Sequence, residues 1–329
     1  MREGIAMTAF TARGDELASK LAASLGGSVR GKDQPLADWT RESFASCDAL
    51  IFVGAAGIAV RSIAPYIQSK ALDPAVLCVD ETGRWIISIL SGHLGGANAL
   101  ARRLAALTGG EAVITTATDI NGLFAVDLWA KAQNMAVLQP ERIKNVSAKI
   151  LRGETITIDC PYPIAGTAPE LVQCDRDADV IVSYRACETK ALQLVPRVLT
   201  LGIGCKRGTD AGTLKAAFQR FCIERGICPE AINGAASIDL KRDEAGLLTF
   251  CVSHGRPLRF YSAEELRGAP GDLTASAFVE ATTGVDNICE RAAVLASGGK
   301  LIEKKYARDG VTFATAERYV NYNWSCDNG

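Results

Sequence analysis

The sequence has little of what a metal site needs. It has only two histidines and no Cys-x-x-Cys pair, so its eleven cysteines do not form a zinc-ligand pattern. An odd number of cysteines, in a chain that we expect in the cytosol, argues against a disulfide framework. Most of these thiols are therefore expected to be small buried hydrophobic side chains.

An excess of one charge is also missing. The chain has 36 Lys and Arg against 37 Asp and Glu, and a net charge of -1 excludes a basic nucleic-acid binder. No run approaches the roughly 20 apolar residues of a membrane helix, and the first residues lack the apolar segment of a secretory signal. We therefore expect a cytosolic protein with neither nucleic acid nor membrane as a partner.

Glycine signatures of nucleotide sites are absent as well. Neither Gly54–Gly57 nor Gly202–Thr209 has the spacing Gly-x-Gly-x-x-Gly, and no Gly-Lys-Ser/Thr occurs. The sequence therefore gives little support to a nucleotide-dependent α/β enzyme. The sequence has no heptad pattern, so it does not indicate an oligomeric state.

What the sequence does contain is an alternation of strand-like and helix-like segments. The buried-strand run Ala49–Val53 and short β candidates such as Trp85–Leu90 are separated by segments with apolar residues at helical spacing. This pattern predicts an α/β fold with three parts: a parallel-sheet α/β domain over residues 1–120, a small middle domain or linker over 121–196, and a C-terminal α/β domain over 197–329.

The most informative segment is Phe52–Asp119, in which glycines and single charges fall at turns between apolar runs. His93 lies between a strand and a helix, where the positive end of the helix dipole disfavours its protonated form. A neutral imidazole can accept a proton as a general base, although this histidine could also merely pack a turn. Ser91 is expected to cap the helix rather than act as a nucleophile.

Charged residues accompany His93 on neighbouring turns. Each alone is explained by a solvated turn or helix position, and only their occurrence together favours a functional site. The carboxylates are Asp73, Asp80, Glu81, Asp119 and Asp127, and the cations are Arg61, Lys70 and Arg84. The amides of Gly54–Gly57 could bind an oxyanion or form only a tight turn.

The C-terminal part has one comparable turn. Lys206 and Arg207 follow a predicted strand and could bind an anion. Cys205 beside them could be reactive, although a buried thiol is the simpler interpretation. His254 is expected at the end of a helix.

The amino-acid sequences of these segments resemble those of the CbiG family, the cobalt-precorrin-5A hydrolases of the anaerobic cobalamin pathway. The similar stretches in the first part are GAAGIAVRSIAP, KALDPAV, DETG, SGHLGGANALA and TTATD. LGIGCKRGT, SIDLKRDEAGL and TGVDNICERAAVLAS are similar to that family's C-terminal domain, which also resembles the protein CobE.

The resemblance implies a substrate and a reaction. Water would open the δ-lactone of cobalt-precorrin-5A, and a two-carbon unit would leave as acetaldehyde to give cobalt-precorrin-5B. The substrate carries the cobalt, so no cofactor and no metal site of the protein are expected. The small-molecule corrinoid is the expected partner, and transient contact with other enzymes of the pathway is left open.

Roles for individual residues follow from turn position and chemistry. We expect His93 to transfer protons, with Asp80 or Glu81 orienting it or acting beside it, and glycine amides near Gly54–Gly57 or Gly95–Gly96 to hold the oxyanion. Further substrate-binding residues are expected to be Arg61, Lys70, Ser91, Asn98, Thr116, Asp119, Lys206 and Arg207, with Gly54, Gly57, Gly95 and Gly96. The substrate would lie in a cleft between the N-terminal and C-terminal domains. A non-catalytic tetrapyrrole carrier of the same pathway is the alternative.

Overall fold

The computed structural model describes residues 4–69, 72–93, 95–116, 122–275, 280–281 and 283–326. The chain forms two compact units, one of residues 1–128 with 150–153 and the other of residues 129–149 with 154–329. Within the described ranges no helix has the length and apolar character needed to cross a membrane. The predicted α/β fold class is confirmed.

The first unit contains a six-stranded sheet with helices on both faces. Its strand order is β2-β1-β3-β4-β5-β6. The strands are β1 (Ile5–Ala9), β2 (Ser28–Val29), β3 (Ala49–Val53), β4 (Ala75–Val79), β5 (Trp85–Leu90) and β6 (Glu111–Val113). The helices are α1 (Ala12–Leu25), α2 (Leu36–Ser46), α3 (Ala56–Ile63) and α4 (Ala97–Thr108).

Alternate residues of β3 face opposite sides of this sheet. Ile51 belongs to the core that α1 and α4 cover, whereas Leu50 belongs to the core that α2 and α3 cover. A strand buried on both faces reads as a continuous apolar run. This is why Ala49–Val53 was recognisable as a strand from its composition.

The predicted parallel sheet is correct for β1–β4 and wrong for the remaining two strands. β5 runs antiparallel to β4, with Val76 opposite Leu90 and Val79 opposite Ile86. β6 is parallel to β5 and therefore also reversed. Only a short turn joins β4 to β5, and a turn of that length can connect antiparallel neighbours but not parallel ones.

The middle of the chain has a sheet of its own within the second unit. Its order is β10-β8-β11-β12-β7. Its strands are β7 (Met135–Val137), β8 (Ile156–Asp159), β10 (Val172–Cys174), β11 (Val180–Val182) and β12 (Leu192–Pro196), while β9 (Ile164–Ala165) pairs with β18 (Tyr322–Asn323). Helices α5 (Val126–Ala132) and α6 (Ile143–Leu151) contain points where the chain passes from one unit to the other. The three-domain boundaries stay a prediction.

The C-terminal part forms a third large sheet, in the order β15-β14-β13-β17-β16. Its strands are β13 (Leu199–Cys205), β14 (Ile232–Ile238), β15 (Leu258–Tyr261), β16 (Lys300–Arg308) and β17 (Val311–Glu317). Helices α7 (Ala211–Arg225), α8 (Ala245–Ser253), α9 (Ala263–Arg267) and α10 (Cys289–Ser297) accompany them. α10 lies so close to β13 that a β-carbon on Gly202 would overlap the carbonyl oxygen of Cys289.

Candidate functional site

The loop that carries His93 follows the carboxyl end of β5 and folds back on the start of α4. Its carbonyl oxygens accept hydrogen bonds from the first amides of the helix region: Gly96 N donates to His93 O at 2.9 Å, Ala97 N to Ser91 O at 3.1 Å and Asn98 N to Gly92 O at 2.9 Å. The loop thus satisfies amides that a helix start leaves unpaired. It also means that the Gly96 amide, one of the expected oxyanion donors, is already engaged.

Two glycines allow this loop to be so compact. A β-carbon on Gly92 would lie 2.8 Å from Oδ1 of Asn98, and one on Gly95 would overlap the β-carbon of Ser91. No larger residue fits at either position without moving its neighbours. Gly92 and Gly95 therefore have a packing role in this loop.

His93 faces a carboxylate that the predicted set of site residues did not include. Its Nδ1 atom lies 3.3 Å from Oδ2 of Asp127, and the two side chains are only 14% and 8% exposed. Asp127 lies in the first turn of α5. The sequence marked it only as one of several turn carboxylates, and no local signal connects it to His93.

Asn98 and Thr116, both predicted to bind substrate, lie together near this loop. Nδ2 of Asn98 donates to Oγ1 of Thr116 at 3.2 Å, and Asn98 is buried. Thr116 follows β6, whose carboxyl end lies at the same edge of the sheet as that of β5 because the two strands are parallel. The reversed pair β5 and β6 thus brings the His93 loop and Thr115-Thr116 to one edge.

The structure contradicts the prediction that Asp80 or Glu81 acts beside His93. Asp80 closes the turn between β4 and β5 by accepting hydrogen bonds from Trp85 N at 2.6 Å, from Thr82 N at 3.1 Å and from the Thr82 hydroxyl. Glu81 accepts from the hydroxyl of Thr11 at 2.8 Å. Both precede β5 and His93 follows it, so the six residues of this strand, or about 17 Å, separate them.

The Gly54–Gly57 turn also lies at the edge opposite His93, because it follows β3. Gly54 N already donates to Val79 O at 2.8 Å, so this amide is not available to an oxyanion. Gly54 has a φ of 154°, and a β-carbon there would lie 2.8 Å from the ring of Phe10. Arg61 is exposed, with Nη1 3.7 Å from the position of a β-carbon on Gly57. This turn and His93 do not form one site.

Ser91 is not the helix cap that the sequence predicts. The residue that caps α4 is Gly96, and it makes no side-chain capping bond. Ser91 instead has a left-handed backbone with φ of 57°, and its buried hydroxyl oxygen has no hydrogen-bond partner among the described residues. A buried hydroxyl without a partner is uncommon in proteins and calls for an explanation.

Lys206 and Arg207 lie in the second unit, after β13. The exposed Arg207 lies 3.6 Å from Glu244 and 3.7 Å from Asp243, so its charge is already paired on the surface. The side chain of Lys206 packs over Gly310, where an added β-carbon would come within 2.9 Å of its Cδ. Lys70 and Asp119, the remaining predicted site residues, lie outside the described residues.

Of the two interpretations of Cys205, the structure favours the unreactive thiol, which is partly buried. Burial raises its pKa, and so does nearby Glu244, against the opposing effect of Lys241. The same Glu244 carboxylate accepts from Lys241 Nζ at 2.8 Å and from Gly208 N at 2.9 Å, and these hydrogen bonds hold its pKa below the usual value. This turn is therefore stabilised by internal ion pairs.

His254 follows α8 as its capping residue, which confirms its predicted place at a helix end. Its Nδ1 atom lies 2.8 Å from the carbonyl oxygen of Phe250. Over the described ranges, no three His, Cys, Asp or Glu side chains gather in a way that could hold a metal ion. The expectation that the protein needs no cofactor stays a prediction.

Two family models match the chain. Residues 38–119 match the model described as cobalamin synthesis G N-terminal, and residues 199–316 match cobalamin synthesis G C-terminus. The first range contains the segment Phe52–Asp119, with the His93 loop at its centre. Asp127 lies between the two matched ranges.

Curated relatives extend the similarity to most of the chain. A cobalt-precorrin-5A hydrolase from Salmonella typhimurium is 34% identical over 94% of this chain and 96% of its own length. One from Priestia megaterium is 31% identical over 83% of this chain and 79% of its own length. Protein CobE from Sinorhizobium sp is 31% identical over 36% of this chain and 79% of its own length. This chain therefore belongs to the cobalamin synthesis G family, that of the cobalt-precorrin-5A hydrolases.

Proposed function

We propose that this chain is a cobalt-precorrin-5A hydrolase that opens the δ-lactone of its substrate and releases acetaldehyde, giving cobalt-precorrin-5B. The observation that carries the proposal is the 34% identity to the Salmonella typhimurium hydrolase, which extends over 94% of this chain. The cobalt belongs to the substrate. A cytosolic location and transient contact with other enzymes of the pathway stay predictions.

The reaction makes two demands on a proton-transfer group. Water adds to the lactone carbonyl, and a base must take a proton from that water while the ring oxygen leaves and is protonated. The resulting hydroxyl then loses its proton as the adjacent C–C bond breaks. The carbon bearing that hydroxyl becomes the aldehyde carbon, and the electron pair of the broken bond passes to the macrocycle.

His93 is the residue best placed for this work among those the sequence singled out. Its imidazole is mostly buried, with 14% of the side chain exposed, in a loop that glycines keep compact. An imidazole can both take and return a proton near neutral pH. The same group can therefore serve the lactone step and the C–C cleavage.

Charged groups of the protein would hold the carboxylates around the macrocycle. Arg61 is exposed on α3, and Lys206 makes no ion pair with any described residue. Arg207 is less suited, since its guanidinium already lies near Asp243 and Glu244. Binding of the substrate carboxylates by Arg61, Lys70 or Lys206 is a proposal.

A single-turnover assay tests the function directly. Cobalt-precorrin-5A is mixed with excess protein under anaerobic conditions, and acetaldehyde is trapped as a hydrazone and quantified. The wild type is expected to release one equivalent, and His93→Ala to release it about 10²-fold more slowly or worse. His254→Gln, which removes the only other histidine, is the matched control and should match the wild type.

Each outcome has a distinct meaning. No acetaldehyde from the wild type would overturn the proposed reaction. Turnover by the His93→Ala variant at the wild-type rate would be consistent with the proposed reaction but would show that His93 is not required for it.

A carrier of the same tetrapyrrole is the second candidate, and the similarity of about a third of the chain to CobE favours keeping it. A carrier would bind the corrinoid, with a shift in its visible absorption, and would release no acetaldehyde. The same assay therefore separates the two functions.

A further inference from the structure

The Asp127 carboxylate is almost fully buried and has a single ionic partner among the described residues. Its side chain is 8% exposed, and Oδ2 lies 3.3 Å from Nδ1 of His93. A buried carboxylate is costly unless a donor satisfies it. The ring of His93 supplies such a donor only if Nδ1 carries the proton.

A proton on Nδ1 decides what the other ring nitrogen can do. In a neutral imidazole only one nitrogen carries hydrogen, so Nε2 is left with a free electron pair. We propose that Asp127 is the positioning residue of His93: it holds the ring with Nδ1–H towards the carboxylate and leaves Nε2 as the atom that takes the proton. This inference rests on the proposed function, which it deepens by naming the reacting atom and its support.

Asp127 is suited to this role in a way that the other turn carboxylates are not. Asp80 is engaged by backbone amides of its own turn, and Glu81 by Thr11, both before β5. Asp73 accepts from the amide of Gln68 at 3.1 Å with both carboxylate oxygens. Asp127 instead contacts an imidazole, which a carboxylate both orients and stabilises when it becomes charged.

The tautomer can be observed without any substrate. The chain has only two histidines, so ¹⁵N-histidine labelling gives two ring systems, and His254→Gln assigns them. His254 is an internal reference that we expect as Nδ1–H, because the Phe250 carbonyl oxygen 2.8 Å from its Nδ1 can only accept. The Ser253 hydroxyl, 3.1 Å from Nδ1, donates to the same carbonyl oxygen. At a pH where both rings are neutral, we expect His93 to show the same Nδ1–H tautomer in the wild type.

The variant Asp127→Asn tests the dependence on the carboxylate. Its amide keeps the volume and can donate to Nδ1, so the fraction of His93 with Nδ1–H should fall while His254 does not change. The single-turnover rate should fall about tenfold to 10²-fold, with substrate affinity unchanged to within about twofold. Asp127→Glu, which restores a carboxylate, should recover part of the rate.

A wild-type spectrum with Nε2–H on His93 would overturn the proposal, even if Asp127→Asn failed to fold. Full turnover by a folded Asp127→Asn, while His93→Ala is inactive, would also overturn it and leave the proposed function standing. A wild type that shows the Nδ1–H tautomer but releases no acetaldehyde would instead overturn the proposed function and support the proposed arrangement of Asp127 and His93.

Discussion

The β-carbon of Ser91 occupies the space into which a β-carbon on Gly95 would project. The two residues lie four positions apart in the loop that carries His93. Any side chain at position 95 must therefore displace the backbone that precedes His93. The compactness of this loop is a condition for placing the imidazole near Asp127.

Gly95→Ala is expected to destabilise the protein and reduce turnover together. Overpacking at such a contact costs about 1–3 kcal/mol, and urea unfolding measures it. Gly57→Ala is the matched control for stability: its β-carbon would meet only Arg61 at 3.7 Å, and alanine favours a helix by up to about 1 kcal/mol over glycine. Equal stability of the two variants would contradict the packing described for the loop.

Asp80→Ala is expected to lower stability without removing activity from the folded molecules. The substitution loses the hydrogen bonds from Trp85 N, Thr82 N and the Thr82 hydroxyl, at a cost of about 1–3 kcal/mol. The rate of acetaldehyde release per folded molecule should stay within about twofold of the wild type, because β5 separates Asp80 from His93. A loss of rate comparable to that of His93→Ala would show that Asp80 belongs to the site.

The stabilisation by Asp80 should also depend on pH. Burial would raise its pKa, but the hydrogen bonds from Thr82, Trp85 and Arg84 outweigh this and hold the pKa below its usual value. A lowered folded pKa gives stability that is fully present above the unfolded pKa of about 3.9 and is lost as the pH falls through the folded pKa. The unfolding free energies of wild type and Asp80→Ala should therefore converge below about pH 4, and a constant difference down to pH 2 would contradict this.

The eleven cysteines should differ strongly in reactivity. All are free; Cys174 is exposed, and five are buried: Cys78, Cys222, Cys228, Cys251 and Cys289. Burial raises the pKa of Cys222 to about 12 and that of Cys251 to about 11. Five of eleven is fewer than half, so the expectation that most of the thiols are buried is wrong; the five that are neither buried nor Cys174 are partly buried.

Ellman's reagent at neutral pH should therefore react fastest with Cys174, leave the five buried thiols unmodified in the native protein, and find all eleven after denaturation. Cys174→Ser should abolish the fast phase. A fast phase of undiminished amplitude in this variant would show that a second thiol is accessible.

Glu290→Gln is expected to destabilise the C-terminal sheet. The fully buried Glu290 carboxylate accepts from Thr274 N at 2.7 Å, from the Thr274 hydroxyl at 2.9 Å and from Lys305 N at 2.6 Å. The side-chain NH₂ group of glutamine would face the N–H and O–H donors that the carboxylate now accepts from, and this lowers the free energy of unfolding by about 1–3 kcal/mol. Glu264→Gln, at an exposed position of α9, is the control, and equal urea midpoints would contradict the role of Glu290.

The sequence was most informative about single elements. The bounds predicted for β3 and β5 agree with the structure because each strand is a short apolar run that ends at turn residues. The direction of β5 could not be read from the strand itself, since a strand has the same composition in either direction. The turn at Asp80–Gly83 holds that information, because so short a connection joins antiparallel strands.

The contact between His93 and Asp127 could not be predicted from local sequence patterns either. Asp127 and His93 lie on different elements, with α4 and β6 between them in the chain. Only tertiary packing brings α5 to the end of β5. Asp80 and Glu81 were predicted to act beside His93 because they precede it by one strand, but the two ends of a strand lie at opposite edges of a sheet.

The reversal of β5 also bears on how this protein would lose its candidate site. β5, α4 and β6 form one contiguous β-α-β segment, and β6 is an edge strand of three residues that pairs with β5 alone. Segments of this kind open as cooperative subunits of a fold, below the free energy of global unfolding. Amides of β5, α4 and β6 should thus exchange with solvent through a partial opening while β1–β4 stay protected, so that molecules that keep β1–β4 paired would be inactive.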